Sequence, residues 1–415
     1  MPLKIIHKTG QGAPSLGDLQ DGEQAYDAEN GVLYVRLDGK LFFQEMTQIE
    51  VLELFTWGSN QNFRTAQGTT SGSTQTPAII PTQRSWKSVA TAAVGATLAI
   101  AEDGTLWSWG NNTRGVTGQG TASGNTEEPT QVGTDTDWLQ VSAGSSNAAA
   151  IKEDGTLWSW GANDFGATGL GTSTGDATTP TQVGSDDDWK QVSCGGERMM
   201  AVKDDGTLWG TGSNAGTALG IGFVGDVDVM TQVGTDTDWS KVSSGLTQNG
   251  AGIKEDGKLF VWGSRNQFVT GQGFSDGQTG DPVQLGAADW SDISVGGAPN
   301  WGYCLGIQSD GTLWSWGTNA NGRTGRGTTV GQTTTPTQVG SDDNWKSIHG
   351  GKLGDLCSSL GLKEDGTLWS WGSNNNGQTA LGTSSGNTTS PAQVGSDTDW
   401  RVVDMGGTHA IALKG

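Results

Sequence analysis

Short runs in which apolar and polar residues alternate recur through residues 51–415, and their spacing is regular enough to define a repeat. In TLWSWG, Leu and Ser fall on one side of an extended chain and the two tryptophans on the other, the period of two that a strand requires. One marker is a Trp-Gly step at Trp57, Trp109, Trp160, Trp262, Trp316 and Trp371, replaced once by Thr211-Gly212. The second is a lone tryptophan behind an acidic turn: Trp86, Trp138, Trp189, Trp239, Trp290, Trp345 and Trp400. First marker leads second by 28 or 29 residues, and the return interval is 22 or 23 except in two places, where it is 26. Asp-Gly between alternating stretches, as at Asp103-Gly104 and Asp154-Gly155, is the strongest short-range hairpin signal.

Each unit therefore holds strands like WKQVSCG, AAAIK, TLWSWG and PTQVG. Four short antiparallel strands repeated seven times predict an all-β, seven-bladed β-propeller over residues 51–415. THAIALKG supplies a second strand with no third, and VLELFTWG at 51–58 a third with no second. The two are expected to pair in one blade and close the ring, removing an edge that would otherwise invite further pairing. Residues 1–50 lack the repeat. GEQAYD, VLYVRL and KLFFQ, separated by Asn30-Gly31 and Asp38-Gly39, read as a separate small β-rich module that precedes the ring.

Composition sharpens this picture. Of 415 residues 69 are Gly and 19 Trp, yet there is no Gly-X-Y period, which excludes collagen. Lys and Arg number 23 against 44 Asp and Glu, a formal charge of −21 that disfavours nucleic acid and anionic membrane surfaces. No apolar run is long enough for a secretion signal or a membrane helix, so a chain made in the cytoplasm without membrane insertion is expected. Cys194, Cys304 and Cys357 are far apart and read as small buried hydrophobes.

Chemistry is sparse. His7, His349 and His409 stand in unrelated contexts, and no nucleophile elbow, zinc spacing or phosphate loop occurs; neither an enzyme nor a cofactor or metal is expected. Paired carboxylates recur before each second marker, for example Asp135 and Asp137 or Asp186 and Asp188. Their repetition suggests Asx-turns demanded by the fold, with calcium as the alternative.

The run of WG, an Asn-rich turn, G-x-TG-x-G and xxVSxGxxHxxAIKxDGTLWSWG resembles the regulator of chromosome condensation repeat family. That resemblance implies a rigid ring that binds another macromolecule through its faces. The family's His after Gly-Gly is kept here only in Gly406-Gly407-Thr408-His409. A second likeness lies in HKTGQGAPSLGDLQDGEQAYDAENGVLYVRLDG, which resembles the N-terminal segment of bacteriophage tail-fibre and receptor-binding proteins. It implies a virion protein at the tail or particle surface, attached to other virion proteins through an oligomerisation module at residues 1–50, often as a homotrimer.

Strand alternation separates the two ends of the ring. The EDG hairpins and the DTDW turns share one end. The long connections and Gly-Gly loops share the other, along with the two places where the period lengthens, 296–304 and 349–357. Loops on a rigid scaffold carry recognition, and Trp, Tyr and Arg dominate binding hot spots. The candidate binding residues are accordingly Trp301, Tyr303, Asn300, Arg265, Phe268, Phe274, Arg323, Arg326 and Lys352. The expected function is a tail fibre or receptor-binding protein whose loops take a host-surface glycan or protein. The alternatives are capsid or tail decoration, and a soluble inhibitor or adaptor that binds another protein.

Overall fold

The computed structural model describes the strands at residues 5–7, 24–27, 32–37 and 40–45, and then residues 51–222, 225–274, 276–298 and 301–415. The chain divides into two compact units, 1–51 and 52–415. In the first, Gln24–Asp27, Val32–Leu37 and Lys40–Glu45 form an antiparallel meander, and Ile5–His7 adds in parallel to Gln24–Asp27.

The second unit is a seven-bladed propeller. Blade one runs from Trp86 to Gln131, blade two from Trp138 to Gln182, blade three from Trp189 to Gln232, and blade six from Trp345 to Gln393, each a four-stranded sheet. Blades four and five, from Trp239 to Gln338, are joined into one seven-stranded sheet by the 19-residue strand Gln278–Gly296. Blade seven combines Trp400–Met405 and His409–Lys414 with Glu53–Ser59 and Ser73–Ile79. His409–Lys414 pairs antiparallel with Glu53–Ser59, from His409 opposite Gly58 to Lys414 opposite Glu53, so the ring closes as the sequence predicts.

Packing explains the markers. The second-marker tryptophans meet the aromatic ring of the third strand edge-on, as Trp138 meets Trp158 at 5.8 Å between centroids. The first-marker tryptophans are fully buried, and each donates its indole N–H to a carbonyl of the preceding blade, Trp160 to Val116 at 2.9 Å and Trp371 to Arg323 at 2.8 Å. In blade three the hydroxyl of Thr211 takes over this tie and reaches Gly166 O at 3.0 Å.

A second set of ties runs between the inner strands around the axis. Ser142 Oγ accepts from Cys194 N, Ser193 Oγ from Ser244 N, Ser243 Oγ from Val295 N, and Ser294 Oγ from Gly350 N, all at 2.9–3.0 Å. Blades two to five thus each satisfy a backbone donor of the next.

The acidic turns resolve differently from the sequence reading. Lys152 sits between Asp135 (2.7 Å) and Asp137 (3.1 Å), with its ammonium 4.8 Å from the Trp138 ring centroid and 4.6 Å from that of Trp158. Lys203 with Asp186 and Asp188, Lys254 with Asp236 and Asp238, and Lys414 with Asp397 and Asp399 repeat the clasp. The carboxylates are paired because a lysine stem buried against indole needs counter-ions where its head emerges. The Asx-turn belongs instead to the hairpin: Asp154 Oδ1 accepts from Thr156 N and Oγ1, and Thr156 Oγ1 in turn accepts from Trp158 Nε1.

Candidate binding face

The loop end of the ring is built from the connections that follow the third strands and from the turns between first and second strands. It is also where the chain departs most from its own repeat. Tyr303 and Arg323 are wholly buried there. The Tyr303 hydroxyl lies 3.0 Å from Ser359 Oγ and 3.2 Å from Ser358 O, and it accepts from Gly351 N at 2.9 Å, so it anchors the lengthened loop of blade six to blade five. Burial pushes its phenol up from the usual tyrosine range. Arg323 Nε donates to Ala320 O at 2.8 Å and Nη1 to Trp301 O at 2.9 Å, holding the other lengthened loop from beneath. Arg64 does the same in the seam blade, with Nε on Gln61 O and Nη1 on Thr408 Oγ1. These arginines are struts and leave no guanidinium at the surface.

Other candidates do face solvent. Trp301 is 41% exposed and Phe274 58%, the latter with the Arg265 guanidinium 5.8 Å from its ring centroid. Arg265 Nε also donates to Thr279 Oγ1 at 3.1 Å. Phe268 is half-buried with φ of 62°, and half-buried Arg326 donates to Thr324 Oγ1 at 3.3 Å, where burial lowers its basicity. Asn300 lies outside the described residues. The candidates are therefore not one patch: Trp301, Tyr303 and Arg323 form a connected unit, while Phe274 and Arg265 pair with each other.

Lys352 behaves unlike any residue type expected at a loop tip. Its ammonium crosses from blade six to donate to Thr91 O (2.9 Å) in blade one, Ala143 O (3.1 Å) in blade two and Asp404 Oδ2 (3.1 Å) in blade seven. Asp404 Oδ2 also accepts from Thr91 N and Oγ1 at 2.7 Å, and its Oδ1 lies 3.5 Å from His349 Nδ1. Burial alone would raise the Asp404 pKa, but Lys352, His349 and Thr91 outweigh it and hold the carboxyl well below the usual range. Asp404 and His349 occupy the inner-strand position that Ser142, Ser193, Ser243 and Ser294 fill elsewhere. A break in that serine series was the signal for this cluster.

Phe165, an aromatic that the sequence also places on this face, and two apolar loop residues add to it. Phe165 is 44% exposed, with φ of 58°, beside a cavity of about 810 Å³ lined by Asp164, Ser173, Thr174, Glu197, Asp226 and Asp228. Val330 and Leu353 are exposed on loops of blades five and six. Among the described residues no group of His, Cys, Asp and Glu is arranged to hold a metal ion, and no helix is long and apolar enough to cross a membrane. The three cysteines are buried, and burial pushes the Cys194 thiol up to about 12.

The repeat is recognised independently. Residues 103–151, 154–202, 310–352 and 365–413 match the regulator of chromosome condensation (RCC1) repeat. The chain is 29% identical over 237 residues to the ultraviolet-B receptor UVR8 of Arabidopsis thaliana, a match covering 56% of this chain and 53% of that one. It thus spans about half the length of that relative. Human WBSCR16 superposes with a TM-score of 0.74 at 20% identity, covering 88% of this chain and 98% of the other. Prp20p of Saccharomyces cerevisiae, described with its binding properties to Gsp1p and histones, superposes at 0.74 with 18% identity over 88% and 92%. Those four stretches are of this repeat type, and the fold they belong to is a β-propeller. The same findings correct the tail-fibre reading: UVR8, WBSCR16 and Prp20p are eukaryotic proteins and not virion components. Virion location, virion partners and a host receptor go with it, and the homotrimer has no support of its own. Likeness at the first fifty residues was too short to outweigh a repeat that fills the rest of the chain.

Proposed function

We propose that the propeller is a non-enzymatic adaptor that binds another protein through its loop face. The observation that carries this is the placement of exposed apolar side chains: Phe165, Phe274, Trp301, Val330 and Leu353 all sit on loops at that end. An aromatic or branched side chain on a loop tip, over struts such as Arg323 and Tyr303 that fix the loop, loses little entropy on binding and gains apolar burial. The protein partner of Prp20p and the receptor role of UVR8 accord with a ring that works through contacts. Trp301 is the central contact, with Leu353 beside Lys352 and Phe274 with Arg265 as flanking ones. The acidic cavity beside Phe165 favours a partner with basic groups there.

Quantitative affinity capture with the full chain, wild type against a Trp301→Ala/Leu353→Ala double variant, tests this reading. Proteins retained by the wild type and lost at least tenfold by the variant support it. An unchanged set of captured proteins, from a variant with unchanged melting temperature, overturns it.

A further inference from the structure

Blade three lacks the fully buried tryptophan that the other six blades place at the end of the third strand. In blade two, Trp160 lies 6.4 Å from Trp138 between ring centroids, and Gly118 packs against Trp160, Val132 and Pro180. Gly325 packs in the same way against Trp371, Val339 and Pro391. At the equivalent place in blade three stands Thr211, whose hydroxyl is tied to Gly166 O and Val227 O at 3.0 Å.

Part of the lost volume is made good across the strand. Met199 pairs opposite Thr211, where Ala148 opposes Trp160 and Gly250 opposes Trp262. Beside this pair, an open cavity of about 340 Å³ between blades two and three lies among Gly169, Val183, Trp189, Trp209, Val229 and Met230, with Gln182 and Asp186 also lining it. Gly169, Val183 and Met230 are the counterparts of Gly118, Val132 and Pro180, so the opening borders the place where the repeat elsewhere seats its own indole. Trp189 makes one edge-on aromatic pair, with Trp209 at 6.1 Å, as Trp86 does with Trp107 in blade one. Val229 is 51% exposed, which places a way in at the outer rim of the blade.

We propose that this cavity binds a small, flat, apolar aromatic molecule of benzene-to-indole size. The cavity is flanked by two indoles that offer edge-to-face contacts and by the apolar side chains of Leu170, Val183 and Val229. The site is separate from the loop face, and the inference does not depend on the adaptor reading.

Calorimetric titration of the full chain with indole is the test, alongside two variants that fill the space. Thr211→Trp/Met199→Ala restores the blade-two arrangement, and Met230→Trp blocks the opening without touching the strand pair. Saturation of the wild type at one indole per chain, with at least tenfold weaker binding by both variants, is expected. Should the double variant fail to fold, Met230→Trp decides alone. Absence of saturable binding by the wild type, or equal binding by wild type and a folded variant, overturns the proposal.

Discussion

The hairpin end of the ring repeats itself from blade to blade, and the loop end does not. At the hairpin end four lysines, Lys152, Lys203, Lys254 and Lys414, each stand between two aspartates over aromatic rings, so one solution to burying a lysine stem is copied around the circle. At the loop end Trp301, Phe165, Phe274 and Lys352 have no counterpart in the other blades. Repetition marks what each blade needs in order to pack against the next. Departure from it marks one of two things: a contact offered outward, as at Trp301, or a special tie at the seam, as at Lys352. Loop position alone does not separate the two, because Lys352 and Trp301 occupy neighbouring lengthened loops and do opposite work.

That contrast can be broken most severely at the seam. Deleting residues 409–415 removes the strand that joins Trp400–Met405 to Glu53–Ser59 and exposes two strand edges, so a loss on the order of 5 kcal/mol and of the single cooperative melt is expected. A melting curve that matches the full chain would show that the ring does not depend on this closure. Next comes Asp404→Asn, which leaves the Lys352 ammonium against carbonyls without its counter-charge and should cost about 3–5 kcal/mol in urea denaturation. A cost under about 1 kcal/mol would return Lys352 to the pool of binding residues.

The same cluster has a pH signature. Asp404 is held below the ordinary carboxylate range, so its contribution is complete above about pH 4 and is lost as acid carries the solution through its lowered folded pKa. Buried His409 works from a higher pH. Burial first, then Arg64 and Lys352, lower its pKa well below the ordinary value, so only the unfolded chain takes up the proton. Stability should therefore fall by about 1.4 kcal/mol per pH unit below pH ~6.5, and His409→Gln should flatten that slope in melts between pH 7 and 5.

Smaller effects sharpen the comparison. Lys152→Met removes one copied clasp and should cost about 1 kcal/mol, since the aspartates remain half in solvent. Trp301→Ala should change stability by less than about 0.5 kcal/mol while weakening partner capture, the reverse of the clasp variant.

The ring was legible because its markers are chemically loud. Trp-Gly, Asp-Gly and the lone tryptophan each recur at intervals that only a repeated sheet explains, and the incomplete runs at 51–58 and 408–415 named their own partner. The binding face was legible only as a region. Tyr303 and Arg323 look like surface hot spots by residue type, yet the atoms that bury them, Ser358 and Ser359 for one and the Trp301 carbonyl for the other, belong to loops whose proximity comes from blade order. The lysine clasp left a signal that could have been read: Lys152, Lys203 and Lys414 each follow their first aspartate by 17 residues.

The strand Gln278–Gly296 carries one more consequence. A circle of seven wedges has seven lines along which it can breathe, and at most of them the chain crosses through a turn that bends easily. Between blades four and five the crossing is a continuous strand, so that joint works as a splint. Slow opening of the circle should then be uneven, with amide exchange quickest at the joints farthest around from it and slowest across residues 284–290.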